Sequence, residues 1–241
     1  MATRGATMDL FADDAGPAAV ALATGATLLR GYAVRVADDL WGGIGPILAA
    51  APLRHLVTPG GLRMSVAMSN CGSLGWVSDR RGYRYDALDP DSGQPWPDMP
   101  ASFSSLAGAA AAAAGFPGFV PDACLINRYE PGARLSLHQD RDEHDFAQPI
   151  VSVSLGLPAL FLFGGPMRKQ PTLRVPLVHG DVVVWGGPAR LNHHGVLALQ
   201  DGWHALTGAC RVNLTFRRAA APSQGGSASV NTAGLAGTRI S

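Results

Sequence analysis

Short apolar runs rich in β-branched residues recur through the second half of the chain, and clusters of Gly, Pro and Asp separate them. Runs of this length between turn residues predict β-strands. Because they follow one another without an alternating helical pattern, they favour a sandwich or jelly roll over alternating β and α units. The predicted strands span residues 125–129, 150–155, 160–163, 173–177, 182–185 and 211–216.

One helix is predicted beside these strands, so the expected fold class is mainly β with flanking helices (α+β). Segment 103–114 is rich in alanine, the strongest helix former, with Ser102 or Ser104 available as an N-cap and Gly115 as a stop. We expect this helix to pack on the sheet. The glycine cluster at 42–45 is too weak a pattern to predict a phosphate-binding loop.

Residues 58–85 differ in composition, because polar, sulfur-containing and aromatic side chains replace the β-branched runs. Period-two alternation through residues 64–68 predicts a hairpin outside the core sheet, where exposed sulfur and aromatic groups adapt to a ligand. This segment is predicted to be a lid.

The composition supports a globular domain, since hydrophobic residues make up 47% of the chain and charged residues 15%. That is enough apolar material for a core and too little charge for wholesale disorder. We expect one domain over residues 1–218, with the 58–85 lid inside it. Residues 219–241 are rich in Ala, Gly and Ser without periodic hydrophobicity, which predicts a flexible tail.

The net charge is only +1, so any nucleic-acid contact must depend on local arginine placement rather than on a global basic field. Cys71, Cys124 and Cys210 are odd in number and far apart, which argues against a disulfide framework or a zinc knuckle and favours a reducing cytoplasm. Aspartates interrupt the apolar core that an N-terminal signal peptide needs, and no stretch is long enough to span a bilayer. We therefore expect a cytoplasmic protein without a membrane partner.

The first candidate for chemistry is a metal site. His138 and Asp140 lie two residues apart, so on an extended segment their side chains point to the same side and reach one ion. A distant histidine supplies the third ligand; His193 and His194 are adjacent, and only one of them can face the ion if that segment is extended. We take His194 as the ligand, with His193 as the alternative. Two imidazoles and one carboxylate are typical of non-haem Fe(II) oxygenases, although hydrolytic zinc sites use similar ligands.

A second candidate narrows the chemistry. Arg211, Asn213, Thr215 and Arg217 alternate with apolar residues, so the predicted strand has one polar, cationic face. Such a face usually lies in solvent, but here two guanidinium groups are available to line a pocket and bind carboxylates in pairs of hydrogen bonds. The implied ligand is the dicarboxylate 2-oxoglutarate.

These motifs resemble the AlkB family of Fe(II)- and 2-oxoglutarate-dependent dioxygenases, which implies a double-stranded β-helix (jelly roll) core and identifies residues 58–85 as the nucleotide-recognition lid. The resemblance spans roughly residues 8–218 and is carried by Asn127-Arg128-Tyr129, by residues 135–142 and 211–217, and by the longer stretches 121–129 and 180–187.

The family pattern assigns roles to the cosubstrate residues. Arg217 is expected to bind the distal carboxylate of 2-oxoglutarate and Arg211 the carboxylate that also chelates the iron. Asn127 and Tyr129 share a strand face and add hydrogen bonds, with Asn213 in the same matching stretch.

The same pattern implies that Trp76 and His138 sandwich the base and that Asp142 lies near its exocyclic amine. From the sequence alone, a solvated charge is the more ordinary interpretation of Asp142. The remaining substrate-binding candidates are Tyr83, Arg84, Tyr85 and Arg168, with Thr58 and Met68 as weaker candidates for lining the lid.

The resemblance implies oxidative demethylation of lesions such as N1-methyladenine and N3-methylcytosine in single- or double-stranded DNA, with RNA as a further possibility, by a monomeric enzyme. The reaction consumes O2 and 2-oxoglutarate and releases succinate, CO2 and formaldehyde. Two alternatives stay open at this point. One is a related oxygenase acting on a small molecule or protein side chain, and the other is a non-catalytic β-sandwich that binds nucleic acid.

Overall fold

The computed structural model describes residues 18–221 and contains, within them, thirteen β-strands and two α-helices. The helices are α1 (Ala37–Ala50) and α2 (Ala101–Ala113). The strands are β1 (Ala19–Ala23), β2 (Ala26–Leu29), β3 (Ala67–Gly72), β4 (Gly75–Asp79), β5 (Gly82–Asp86), β6 (Ala123–Tyr129), β7 (Leu135–His138), β8 (Ile150–Gly156), β9 (Ala159–Phe163), β10 (Leu173–Leu177), β11 (Val182–Trp185), β12 (His194–Val196) and β13 (Arg211–Arg217).

Two antiparallel sheets form the body. The larger has the strand order β1-β2-β11-β8-β13-β6-β3, and the smaller has the order β10-β9-β12-β7. One core lies between the sheets, where Trp185 of the larger sheet packs with Phe161 and Phe163 of the smaller. The six predicted strands are present, each ending within two residues of its predicted bounds. The mainly β fold class is confirmed.

A second core lies between the other face of the larger sheet and the two helices. The apolar residues of β13, including Leu214 and Phe216, face this core, where Phe216 meets Phe103 of α2 edge to face at 6.0 Å. Burying a side chain of this size contributes roughly 1.5–3 kcal/mol. Strand alternation therefore turns the polar residues of β13 toward the smaller sheet, which places the predicted cationic face inside the molecule.

Helix α2 matches the predicted helix, but its beginning differs. The N-cap position is Pro100, and no side chain caps the helix, so the predicted cap at Ser102 or Ser104 is wrong. Both serines lie inside the first turn, and Ser104 instead donates a hydrogen bond to the carbonyl of Ala101 at 3.1 Å. Gly115 has φ +90°, which ends the helix as expected.

Helix α1 was not predicted, because its sequence contains the glycine cluster 42–45 and Pro46, which have poor helix propensity. Its packing explains one of these glycines. A Cβ on Gly43 would lie 3.0 Å from the ring of Phe103, so the missing side chain lets α1 approach α2 closely. Gly42 has no atom within 4 Å of the equivalent position.

The predicted hairpin outside the core sheet is partly wrong. Met68 belongs to β3, which pairs with β6 at the edge of the larger sheet, and it is buried rather than exposed. Pairing with β6 satisfies the backbone hydrogen-bonding groups of β3. This stabilisation outweighs the alternation of residues 64–68 that predicted an exposed hairpin. The separate hairpin is formed by β4 and β5, which make a two-stranded sheet of their own. We call residues 75–86 the outer hairpin.

The packed chain continues past the expected domain boundary at residue 218. Ala219 is buried, and the backbone amides of Ala219 and Ala220 donate to the carboxylate of Asp122 at 2.6 and 3.0 Å. The predicted flexible tail otherwise lies outside the described residues. Among those described, no helix is long and apolar enough to cross a membrane.

Candidate metal centre and cosubstrate pocket

A cleft of about 760 Å³ opens between the two sheets and beneath the outer hairpin. The polar face of β13 forms one wall, and β7 with β12 forms another. The predicted site residues that line it are Thr58, Met68, Trp76, Tyr83, Asn127, Tyr129, His138, Asp140, Asp142, Arg168, His194, Arg211, Asn213 and Arg217.

The three predicted metal ligands meet in this cleft. His138 ends β7 and His194 begins β12, and the two residues are direct cross-strand partners. The Nε2 atoms of both histidines lie 3.6 Å from carboxylate oxygens of Asp140. All three candidate ligand atoms lie within 4.8 Å of one another. Ligands with metal bonds of about 2.1 Å lie roughly 3 Å apart around an ion, so a small contraction completes the site.

Hydrogen bonds set both imidazoles in the form that binds a metal. The Nδ1 of His138 donates to the carbonyl of Ser136 at 2.9 Å, and the Nδ1 of His194 donates to the carbonyl of Asn192 at 3.1 Å. With the proton held on Nδ1, each Nε2 keeps its lone pair for an ion. The donor set therefore fits Fe(II).

The electrostatics favour the ligand forms of two of these residues. Burial, reinforced by the neighbouring His138, lowers the pKa of His194 to about 3, so its ring is neutral. Burial also acts to raise the pKa of Asp140, but the charge of Arg217 and its hydrogen bonds outweigh burial and hold that pKa well below its usual range. A neutral imidazole and an ionised carboxylate are the states that coordinate a metal.

His193 lies apart from this cluster. Its Nδ1 donates to the carbonyl of Gly165 at 3.3 Å, so the ring is directed at the 164–170 loop rather than at Asp140. Alternation between adjacent residues separates it from His194, as expected for extended chain.

Arg211 is the clearest indication of an anion-binding site. It is 1% exposed, and its Nη2 donates to Ser154 Oγ at 2.9 Å, but among the described residues its Nε and Nη1 have no hydrogen-bond partner. Its guanidinium lies 5.1 Å from the centre of the Tyr129 ring. Burial lowers the pKa of Arg211. A buried cation without a carboxylate is costly, and unpaired donors beside a cleft fit the carboxylate of a cosubstrate.

Arg217, at the other end of β13, is paired. Its Nη2 and Nε lie 2.6 and 3.1 Å from Asp140 Oδ2, and its Nε also lies 3.2 Å from Glu143 Oε1. Arg217 therefore sits beside the metal donors, whereas Arg211 lies six residues away along the strand. This order favours the opposite of the expected assignment, because Arg217 already contacts the carboxylate of a metal ligand.

The predicted cosubstrate residues between the arginines form a hydrogen-bonded row. Asn213 Nδ2 donates to Ser152 Oγ and to the carbonyl of Val153, and Asn213 Oδ1 accepts from Thr215 at 2.8 Å and from Asn127 at 3.3 Å. Asn213 is thus fully engaged by protein groups. Asn127 Oδ1 has no partner among the described residues, so Asn127 is the member with spare capacity.

Sequence reasoning missed two buried residues beside the metal donors. Glu143 Oε2 pairs with Arg190 Nη2 at 3.0 Å, and Arg190 Nη1 donates to the carbonyl of Asp140 at 2.7 Å. Both side chains are at most 3% exposed. Glu143 lies in an acidic run that reads as a solvated loop, and Arg190 has no motif around it, so only their burial reveals them.

The outer hairpin carries the aromatic substrate candidates. Trp76 stacks on Tyr83 with ring centres 5.6 Å apart and an interplanar angle of 11°. The indole Nε1 of Trp76 donates to Asp142 Oδ2 at 2.8 Å. Asp142 is therefore positioned by the hairpin rather than solvated at random, and a stacked aromatic pair faces the cleft that contains His138.

Two of the three remaining substrate candidates, Arg84 and Tyr85, differ from expectation. Arg84 does not line the cleft; it forms two 3.1 Å hydrogen bonds to Asp79 on the other side of the hairpin, because alternation separates it from its neighbours Tyr83 and Tyr85. The hydroxyl of Tyr85 donates to Glu143 Oε1 at 2.8 Å and is directed inward. Arg168 lies exposed at the rim, where it donates to the carbonyl of Leu137.

Comparison with known proteins first gives the class. Residues 42–217 match the model of the 2OG-Fe(II) oxygenase superfamily, in agreement with the donor set and the unpaired Arg211. The solved structure of OsALKBH1 has the same fold, with a TM-score of 0.70 at 28% identity, covering 83% of this chain and all of that one. The jelly-roll prediction is confirmed.

The curated relatives narrow the class. The chain is 58% identical to the alpha-ketoglutarate-dependent dioxygenase AlkB of Escherichia coli over 88% of its own length and 98% of that protein's. It is 49% identical to the AlkB homolog of Caulobacter vibrioides over 70% of its length and 76% of the relative's. The chain belongs to the AlkB family of 2OG-Fe(II) oxygenases. It is a dioxygenase that uses Fe(II), 2-oxoglutarate and O2, as predicted, and the non-catalytic alternative is wrong.

Proposed function

We propose that this enzyme removes alkyl groups oxidatively from damaged nucleobases such as N1-methyladenine and N3-methylcytosine in DNA, and in RNA where the base is accessible. The observation that supports it most directly is the stacked pair Trp76 and Tyr83, which faces the metal donors across one cleft. A small-molecule oxygenase has no need of an aromatic hairpin at this place. The similarity to AlkB supports the same conclusion.

His138, Asp140 and His194 would hold the iron, which supplies the oxidation of an unreactive C–H bond with O2 and 2-oxoglutarate as reactants. His194 is already neutral because it is buried, and Asp140 is already ionised because Arg217 lies beside it. Neither residue therefore has to release a proton when the metal binds. The protein's contribution is to fix these donors before the ion arrives.

Arg211 would hold the distal carboxylate of 2-oxoglutarate, with Tyr129 beside it. Arg217 would stand at the metal end, where it already compensates Asp140. Asn127 has the spare hydrogen-bonding capacity between them, and Asn213 holds Asn127 in place. A cationic group at each end of the polar face of β13 matches a ligand with two carboxylates.

The base would enter between Trp76 and His138. Extracting a base from its stack costs a few kcal/mol, and stacking on an aromatic ring returns about 1–3 kcal/mol per base. Asp142 keeps one carboxylate oxygen beyond its bond to Trp76 to accept from an exocyclic amine. A carboxylate also attracts N1-methyladenine and N3-methylcytosine, which carry positive charge.

The rest of the nucleic acid would lie along the rim of the cleft. Tyr83 is half exposed there, Arg168 offers a cation near the phosphates, and Thr58 and Met68 line the adjoining wall. Single- or double-stranded DNA is the expected partner of a monomeric, cytoplasmic enzyme.

Formaldehyde release from a methylated single-stranded oligonucleotide tests this proposal. With Fe(II), 2-oxoglutarate and O2, the wild type and the surface control Asp201→Ala should release one formaldehyde for each lesion repaired. Asp140→Ala should lose at least about a hundredfold in rate, since a metal ligand is removed. A wild type that is inactive on every methylated oligonucleotide tested would refute the proposal.

A further inference from the structure

Among the described strands, β4 and β5 of the outer hairpin pair only with each other, so the hairpin has no backbone ladder to the two large sheets. The side chain of Asn70 in β3 bonds the backbone N–H and carbonyl of Trp76, and the hairpin reaches the metal site through side chains of its own. Trp76 and Tyr85 are cross-strand partners in the hairpin. Trp76 donates to Asp142 and Tyr85 donates to Glu143, so one cross-strand pair docks on two successive residues of the loop that follows Asp140.

Glu143 connects this docking contact to the metal donors. Its Oε1 accepts from the hydroxyl of Tyr85 at 2.8 Å and lies 3.2 Å from Arg217 Nε, while its Oε2 is occupied by Arg190. Arg217 Nε is shared with Asp140 Oδ2, at 3.1 Å. A single oxygen atom thus receives both the hairpin hydroxyl and the guanidinium that orients the metal carboxylate.

Sharing that oxygen makes the two contacts dependent on each other. When Tyr85 is docked, its hydroxyl takes part of the accepting capacity of Glu143 Oε1, which leaves Arg217 directed at Asp140. When the hairpin leaves, Arg217 becomes the sole partner of that oxygen and is drawn away from Asp140. Glu143 and Arg217 are both buried, and electrostatic interactions between buried groups are stronger than in water, so the two contacts compete.

We propose that Tyr85 and Glu143 are positioning residues that couple docking of the outer hairpin to the orientation of Arg217 and Asp140. The proposal rests on the function given above, because it links docking of the hairpin over the base to the orientation of the groups that bind iron and 2-oxoglutarate. Coupling between two sites is reciprocal. Filling the metal and cosubstrate site must therefore shift the open–docked equilibrium of the hairpin toward the docked state by the same factor by which docking tightens the site.

Amide hydrogen exchange of the full-length protein measures hairpin opening without any nucleic acid. Under anaerobic conditions, adding Fe(II) and 2-oxoglutarate to the wild type should slow exchange of amides 75–86. Tyr85→Phe keeps the ring and removes only the hydroxyl, so the protein should fold. In this variant these amides should exchange about tenfold faster or more, since a hydrogen bond to a buried carboxylate is lost, and adding the ligands should no longer slow them.

The reciprocal readout is the dissociation constant of 2-oxoglutarate measured anaerobically with Fe(II). Tyr85→Phe should raise it by the factor of protection that the hairpin loses. The matched control is Tyr32→Phe, which removes a hydroxyl from a tyrosine packed against the helical core and should leave both readouts at wild-type values. Glu143→Gln keeps an acceptor but loses the charge, so a folded variant should fall between wild type and Tyr85→Phe.

Two results would overturn the coupling. One is hairpin exchange in Tyr85→Phe equal to that of the wild type. The other is faster exchange in Tyr85→Phe that Fe(II) and 2-oxoglutarate still slow as fully as in the wild type. That result is expected if the Tyr85–Glu143 hydrogen bond only stabilises the hairpin. Inactivity of the wild type on methylated oligonucleotides would refute the proposed function but would leave both readouts, and hence the coupling, unaffected.

Discussion

At the scale of single residues, the site contains groups whose burial is unfavourable unless a ligand is bound. Arg211 is a buried cation with two donors that have no partner within residues 18–221, and His194 is a buried imidazole held neutral beside a carboxylate. Both arrangements cost stability in the ligand-free protein and favour binding. Replacing either residue should therefore change both the stability of the ligand-free protein and its affinity for the ligand.

Arg211→Met tests this exchange at the cosubstrate end. Without 2-oxoglutarate, the variant should unfold at a higher temperature, because removing unsatisfied buried donors returns about 1–3 kcal/mol. Its affinity for 2-oxoglutarate should fall about thirtyfold or more, corresponding to roughly 2 kcal/mol for a truncated buried charge pair. Thermal unfolding with and without 2-oxoglutarate measures both effects. A variant that is less stable without the cosubstrate would show that the contacts of Arg211 with Ser154 and Tyr129 outweigh the cost of its unpaired donors.

The pKa of His194 predicts how the metal-free protein responds to acid. The folded pKa of about 3 lies below the ordinary value of 6.5, so between these values the unfolded chain binds the additional proton. Stability contributed by this group is therefore full above pH 6.5 and is lost as the pH falls toward 3, at up to about 1.4 kcal/mol per pH unit.

Thermal unfolding between pH 7.5 and 5 measures the effect. Metal-free wild type should lose stability more steeply than His194→Asn, and the exposed control His144→Asn should follow the wild type. Parallel curves for wild type and His194→Asn would mean that His194 is not held neutral in the fold.

At the scale of elements, packing and ligand binding belong to different parts of the fold: the two faces of β13 and the separate outer hairpin. The apolar face of β13 is fixed by α1 and α2, and its polar face is thereby held toward the cleft. The hairpin, outside both sheets, brings the aromatic pair to the mouth. Changes in the helices should therefore alter stability, whereas changes in the hairpin should alter substrate binding.

Trp76→Ala tests the hairpin. Losing a stacking platform should raise KM for a methylated oligonucleotide roughly 5- to 150-fold, the equivalent of about 1–3 kcal/mol. The KM for 2-oxoglutarate should rise by a smaller factor, because the variant also removes the Trp76–Asp142 docking contact of the hairpin. The control is Trp203→Ala, since Trp203 is 78% exposed and lies outside the cleft. Steady-state kinetics with each substrate varied separately gives both constants, and an unchanged KM for the oligonucleotide would contradict the stacking role.

Two glycines of α1 test the helical core. Gly43→Leu should destabilise the protein by about 1–3 kcal/mol, because its Cβ meets the ring of Phe103 in a packed interface. Gly42→Leu places the same side chain one residue away in open space and should stabilise the helix by up to about 1 kcal/mol. Denaturant unfolding compares them, and equal effects would show that α1 and α2 are not closely packed.

At the scale of the whole molecule, the fold and site were predictable where the pattern is local. Alternation along β13 predicts which side chains share a face, and the spacing of His138 and Asp140 predicts a shared ligand. Helix α1 could not be predicted, because its sequence has poor helix propensity and Gly43 serves a contact with a helix more than fifty residues away in the sequence.

The ends of the cosubstrate pocket could not be assigned from sequence either. Arg211 and Arg217 have the same chemistry and share a face, and only the fold places Asp140 against Arg217. Likewise Glu143 reads as part of a solvated acidic run until Arg190, Arg217 and Tyr85 are seen to enclose it. Long-range burial decides these roles, and local pattern carries no information about it.

Anaerobic calorimetric titration of Fe(II) into the metal-free protein with 2-oxoglutarate tests the metal centre most directly, through the adjacent variants His194→Ala and His193→Ala. The wild type and His193→Ala should bind one iron per chain, because His193 is directed at Gly165 and away from the donors. His194→Ala should bind it more than roughly a hundredfold more weakly. Iron binding retained by His194→Ala, or lost in His193→Ala, would contradict the assignment.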